Sequence, residues 1–222
     1  MRTVAPDPAG SSEPESPPEA GGSRSLPLVV RPALRHELAA AGRVARDAYL
    51  ADGFDDVDYA ASLADAEGRA CFGEVAVALV GGRVVGSVTF VHNRHPGDPG
   101  LDAAHPDTAH PESAHPDGTV PRPQAVAGAE PLCEVSEPGE AEFRMLGVVP
   151  DARGLGVGTA LVDWCVTRAR QVGAPRLLLS TCEKMSAARH IYVTRGFRCV
   201  DELGWRTDDG VELLVYRLDL TG

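Results

Sequence analysis

The sequence predicts an α/β domain with a mixed, mostly antiparallel central sheet of about six to seven strands and flanking helices. Three observations predict it. A strand, a glycine-rich turn and a helix follow one another from Glu142 to Val172. Two β-branched runs, Glu74 to Val80 and Arg83 to Val91, flank Gly81-Gly82, a pair that permits positive φ and marks a hairpin. Apolar residues recur at helical spacing both before the hairpin and after the glycine turn.

Taken in order, residues 1 to 25 are rich in Pro, Ser, Gly and Glu. Such a tail cannot bury enough surface to offset its ordering entropy, so disorder is expected. It lacks the apolar core of a signal peptide, and no apolar run is long enough to span a bilayer, which points to a cytoplasmic protein without membrane contact. The domain is expected from residue 26 to 220. A strand at Leu28 to Arg31 precedes a helix from Pro32 to Leu50, where Leu34, Leu38, Ala41, Val44, Ala45 and Ala48 mark one buried face. An acidic loop with Phe54, Asp55 and Asp56 then leads into a second helix from Tyr59 to about Glu67. The hairpin follows.

From residue 93 to 140 periodicity stops. The segment is dense in proline and carries the repeat AHPDT, AHPES, AHPDG from Ala104, Ala109 and Ala114, so a disordered insertion is expected. His105, His110 and His115 each precede Pro and have no companion ligand array; no metal site is expected. The insertion holds nine acids against two arginines and the tail four against two, so most of the net charge of −11 lies outside the folded part. That balance offers no basic footprint for nucleic acid. The five cysteines are odd in number and form no C-x-x-C pair, which argues against a disulfide framework and a zinc ribbon.

Beyond the central stretch, Pro175 to Thr181 reads as a buried parallel strand. Met185 to Arg195 reads as a helix closed by Gly196. Two strands, Phe197 to Trp205 and Val211 to Leu218, complete the sheet across the turn at Thr207 to Gly210. Nothing in the sequence sets an oligomeric state.

The glycine turn carries the chemistry. Unpaired N–H groups at a helix start, with glycines before them and Arg153 alongside, suit a pyrophosphate. A Walker A loop is excluded, because no Lys follows these glycines. A dinucleotide fingerprint would need a third glycine where Thr159 stands; a nicotinamide-dependent oxidoreductase stays open as a lesser alternative. Arg153-x-x-Gly156-x-Gly158 resembles the R/Q-x-x-G-x-G/A signature of the GNAT superfamily of N-acetyltransferases. Ala188, Ile191, Tyr192, Gly196 and Phe197 resemble its second motif, A-x-x-L-Y-x-x-x-G-F, with Met185 where Asn is common.

The resemblance implies acetyl-CoA as co-substrate and a direct transfer to a primary amine in a ternary complex. It places the pyrophosphate on Arg153, Gly154, Gly156, Val157, Gly158 and Thr159, with Ala188 beside the coenzyme. Leu146, Gly147 and Val148 would pair with the pantetheine arm like an added strand. Tyr192 becomes the general acid to the leaving thiolate. Glu142, on the same strand, becomes the candidate base, acting directly with a raised pKa or through a water relay. Phe54, Asp55, Asp56, Trp205 and Asp208 become candidate contacts to a small-molecule or peptide amine, the acids suggesting a cationic acceptor. The rival within the same fold is an acyl-CoA sensor that transfers nothing.

Overall fold

The computed structural model describes residues 26–93, 132–207 and 210–221. The tail, the His-Pro repeat and Asp208 lie outside them. The strands are β1 (Leu28–Pro32), β2 (Glu74–Val80), β3 (Arg83–His92), β4 (Ala141–Val148), β5 (Arg176–Cys182), β6 (Arg198–Cys199), β7 (Trp205–Arg206) and β8 (Glu212–Asp219). The helices are α1 (Leu38–Ala51), α2 (Val57–Ala64), α3 (Ala66–Ala70), α4 (Val157–Gln171) and α5 (Ser186–Thr194).

All described strands join one eight-stranded sheet in the order β1-β2-β3-β4-β5-β8-β6, with β7 also on β8. Only the β4–β5 pair is parallel. This is a mixed, mostly antiparallel α/β fold, as the sequence predicts. It also removes the dinucleotide-binding alternative, whose fingerprint belongs to an open parallel sheet.

Two helical layers sandwich the sheet. On one face α4 and α5 pack Val157, Leu161, Cys165 and Tyr192 onto Phe90, Phe143 and Leu179. On the other, Ala41 and Ala45 of α1 and Ala66 of α3 meet Val77 and Met145. Each fully buried Phe or Leu contributes roughly 1.5–3 kcal/mol relative to exposure. Arg168, near the end of α4, reaches Glu74 of β2 at 2.7 Å and so clips the helix to the sheet.

Three local differences have identifiable causes. The first helix starts at Leu38, because Pro32 ends β1 and a 3-10 turn, Arg35–Glu37, intervenes. The second splits at Asp65, whose carboxylate caps α3 through the Gly68 N–H. The expected strand from Phe197 to Trp205 is broken into β6, the 3-10 turn Asp201–Leu203 and β7.

Part of the stretch expected as an insertion, residues 93 to 140, falls among the described residues. Its last part, Leu132 to Glu140, is described and tied down: Arg176 donates to Glu140 at 2.7 Å, and Asn93 Nδ2 to the Ser136 carbonyl at 2.6 Å. No periodic apolar pattern announces this, because the order comes from side-chain and backbone polar pairs.

Candidate active site

Strand β4 sets the geometry. It pairs with β5 only at Ala141↔Leu177 and Glu142↔Leu178; beyond these the two strands part. The cause is a bulge. Met145 sits at φ 54°, the positive-φ non-glycine among the described residues, and Met145 and Leu146 together oppose Val88. A bulge bends a strand and ends pairing. It also switches faces: Phe143 packs with α4 and α5, as do Leu146 and Val148 after the bulge, while Met145 faces α1. The Val149 N–H returns to Val85 of β3 at 3.0 Å. By alternation the N–H groups of Leu146 and Val148 point to the open side.

That open edge runs into the glycine turn. Gly154 and Gly156 have φ of 76° and 79°, and a Cβ at either would meet nothing within 4 Å. Left-handed geometry, not crowding, explains these glycines. Gly156 is the N-cap of α4, so the first N–H groups of that helix face outward without helical partners. Val157 offers only its backbone, since its side chain is in the core. A Cβ on Gly158 would lie 3.1 Å from Ile191 Cδ1 of α5, so the turn and the second motif touch. Thr159 and Ala188 are half-buried beside them.

Arg153 and Gly147 differ in detail from the sequence expectation. The Arg153 guanidinium holds Asp52, at the end of α1, at 2.8 and 3.2 Å, and the Ala48 and Val148 carbonyls at 3.2 and 3.4 Å. It braces α1 against β4. Gly147 does serve a close approach, but to α1: a Cβ there would lie 2.9 Å from Ala45 Cα.

Glu142 is 0% exposed. Its Oε2 accepts from the N–H groups of Glu134, Val135 and Ser136 at 3.0, 3.1 and 3.2 Å and from Ser136 Oγ at 3.1 Å, while Oε1 is buried without a partner among the described residues. Burial, the largest influence, pushes its pKa up against these hydrogen bonds and Arg144. Direct contact with an amine in the cleft is therefore closed to it. Tyr192 lies in an aromatic cluster with Phe143, Phe197 and Tyr216, at centroid distances of 5.8, 6.1 and 6.0 Å. Burial first, and Cys165 second, raise its pKa, so it holds its proton at neutral pH. Although Tyr192 and Tyr49 pack on opposite faces of the sheet, Tyr192 adds to the rise in the Tyr49 pKa; the β4–β5 opening lies between those faces.

On the α1 face the opening continues into a cleft of about 1390 Å³. Phe54, Asp55, Asp56 and Trp205 all line it. Asp56 also caps α2, accepting the Tyr59 N–H at 2.7 Å. Sequence reasoning missed Arg69, Arg144, Tyr49 and Tyr59, which line the same cleft. No motif marks them, and only packing brings α1, α2, α3 and β4 to one wall. Among the described residues no His, Cys, Asp and Glu gather in a group able to hold a metal, and no helix is long and apolar enough to cross a membrane.

The sequence profile of the acetyltransferase (GNAT) family matches residues 38–197. The chain belongs to that family. This GNAT domain is 39% identical over 66 residues to a mycothiol acetyltransferase from Geodermatophilus obscurus, a stretch that covers 29% of this chain and 21% of that protein. Among solved structures, an acetyltransferase of GNAT family from Staphylococcus aureus Mu50 shares 14% identity, with coverage of 88% of this chain and 100% of that one and a TM-score of 0.57. A GNAT family acetyltransferase from Brucella melitensis, solved in complex with acetyl-CoA, shares 14% identity with coverage of 88% and 89% and a TM-score of 0.53. At such identity the likeness is one of fold.

Proposed function

We propose that this GNAT domain transfers an acetyl group from acetyl-CoA directly to a primary amine. The observation that carries the reading is the opening of β4 from β5 after Glu142, which leaves a free strand edge running into the uncapped start of α4. The edge suits an extended amide-containing arm, and the helix start suits a pyrophosphate. Leu146 and Val148 N–H groups would hold the arm and polarise the thioester carbonyl. Gly154, Gly156, Val157, Gly158 and Thr159 would hold the phosphates by their backbone, Ala188 would pack beside the coenzyme, and Arg153 would exchange Asp52 for phosphate oxygen. Acetyl-CoA bound in the Brucella melitensis structure supports the same co-substrate here.

The amine enters from the cleft wall carrying Phe54, Asp55, Asp56 and Trp205; Asp208 stays a candidate on sequence grounds. The amine nitrogen forms the new bond to the carbonyl carbon as the carbon–sulfur bond breaks. Tyr192 supplies the proton that the departing sulfur takes. Glu142, sealed from the cleft, would accept the amine's proton by a relay rather than by contact, and its raised pKa suits a base working nearer neutrality.

Calorimetric titration with acetyl-CoA, with NAD as comparison, tests the co-substrate. Release of free coenzyme A thiol with a panel of primary amines tests the transfer. Micromolar binding, about −8 kcal/mol, together with amine-dependent thiol release is the expected result. No acetyl-CoA binding would remove the reading.

A further inference from the structure

Arg69 of α3 is 5% exposed, yet it lines the cleft. Its Nε donates to Thr89 Oγ1 at 3.0 Å, and its Nη1 to the Ser62 and Leu63 carbonyls, at the end of α2, at 2.6 and 2.8 Å. None of these partners is a carboxylate, and Nη2 makes none of these bonds. The acid that acts on it most strongly, Asp65, already caps α3 through the Gly68 N–H at 2.8 Å. A buried guanidinium with no carboxylate in direct contact, as Arg69 is among the described residues, is costly, and folded proteins pair such charges closely.

The surroundings suit an anion. Arg144 of β4 lines the same wall; it donates to the Leu132 carbonyl at 2.9 Å and is ion-paired with Glu134. Tyr49 and Tyr59 stand edge to face with centroids 5.7 Å apart. Arg144 acts electrostatically on both phenols and on Arg69. Arg144 is paired with Glu134, while Arg69, whose cleft Asp65 and Lys184 also line, is the buried guanidinium of this wall that bonds directly to no carboxylate among the described residues; one such cation matches a carboxylate better than a doubly charged phosphate. Opposite in sign, Asp55 and Asp56 stand on the α1–α2 loop of the same cleft. Arg144 precedes Met145, the bulge residue at the opening where acetyl transfer is placed. The anion's place and the amine's place thus share one short stretch of β4.

We propose that Arg69, aided by Tyr59 and Arg144, binds a carboxylate of the acceptor, so that the acceptor is an amino acid or a short peptide carrying both the acetylated amine and a free carboxylate. The assignment rests on the acetyl-transfer reading above. It refines the expectation of a cationic acceptor into a zwitterionic one, with the ammonium toward the acidic loop and the carboxylate toward Arg69.

The test uses the fluorescence of Trp205, which lines the cleft, in the full chain saturated with coenzyme A. N-acetyl amino acids and N-acetyl dipeptides are titrated, each against its own carboxamide; the two series separate a free amino acid from a peptide end. For at least one pair the acid should bind about ten- to a hundredfold more tightly than the amide. Arg69→Gln should abolish that preference while leaving acetyl-CoA affinity unchanged, and Arg69→Lys should retain part of it. No acid preference in any wild-type pair overturns the proposal, whether or not the variants fold. Equal weakening of acid and amide in Arg69→Gln also overturns it, because Arg69 would then be only a helix cap. Failure of the wild type to bind acetyl-CoA removes the parent reading as well, whereas acetyl-CoA binding without carboxylate preference removes this inference alone.

Discussion

Gly147→Ala tests how α1 is held on β4, and its effect can be worked from distances. The added Cβ would lie 2.9 Å from Ala45 Cα, 3.1 Å from Ala48 Cβ and 3.4 Å from the Ala45 carbonyl oxygen. None of these atoms can rotate away, so α1 must shift. Overpacking of this kind costs about 1–3 kcal/mol, offset by about 0.5–1 kcal/mol from removing a glycine inside a strand. A net loss of up to about 2.5 kcal/mol is expected, read from urea unfolding as a lower midpoint at unchanged slope. The shift should reach the proposed coenzyme site, because Ala48 and Asp52 hold Arg153; acetyl-CoA affinity should fall too. Gly154→Ala is the control. It meets no atom within 4 Å but holds φ 76°, so it should cost about 1–2 kcal/mol of local strain without moving α1. A Gly147→Ala protein more stable than the wild type by the roughly 0.5–1 kcal/mol that removing a glycine alone would give would refute the close seating of α1 on this strand.

Arg153→Ala should change stability by less than about 1 kcal/mol, since its partner Asp52 is solvent-exposed, yet lower acetyl-CoA affinity about ten- to a hundredfold. Asp52→Ala, which frees the guanidinium, should tighten acetyl-CoA binding; weaker binding would mean that Arg153 acts only by bracing α1. Glu142 and Glu37 should give opposite pH dependences of melting temperature. Burial raises the Glu142 pKa above its ordinary 4.5, so its contribution is fully present below 4.5 and is lost as pH rises through the folded value. The Arg31 ion pair, foremost, lowers that of Glu37, so its contribution is present above 4.5 and is lost as pH falls through the folded value. Glu142→Gln should flatten the first trend and Glu37→Gln the second, and an unchanged slope in either variant contradicts the corresponding environment. Tyr192→Phe should lower kcat about 10²- to 10⁴-fold with acetyl-CoA affinity intact; an unchanged kcat would end its assignment as the acid.

Much of the fold is legible in local chemistry. The Gly81-Gly82 hairpin, the glycine turn before α4 and the Gly196 cap follow from positive φ, recorded at 58°, 81°, 79° and 86° for Gly81, Gly82, Gly156 and Gly196. The breaks near residues 65 and 200 are not legible. Asp65 interrupts a helical pattern through its own carboxylate, and the short β6 and β7 depend on where β8 runs.

For the site, the sequence by itself determined the residues whose role depends on near neighbours: the start of α4, the free N–H groups there, and the two motifs that Gly158 and Ile191 bring into contact. Glycine conformation and helix ends are properties of a few consecutive residues, so spacing along the chain reveals them. Only the tertiary structure decided that Arg153 holds Asp52, that Glu142 is sealed beneath Glu134 to Ser136, and that Arg69 and Arg144 meet Tyr49 and Tyr59 on one wall. Burial and electrostatic partnership depend on which distant segments pack together, and Arg153 and Asp52 are separated by 101 positions of chain.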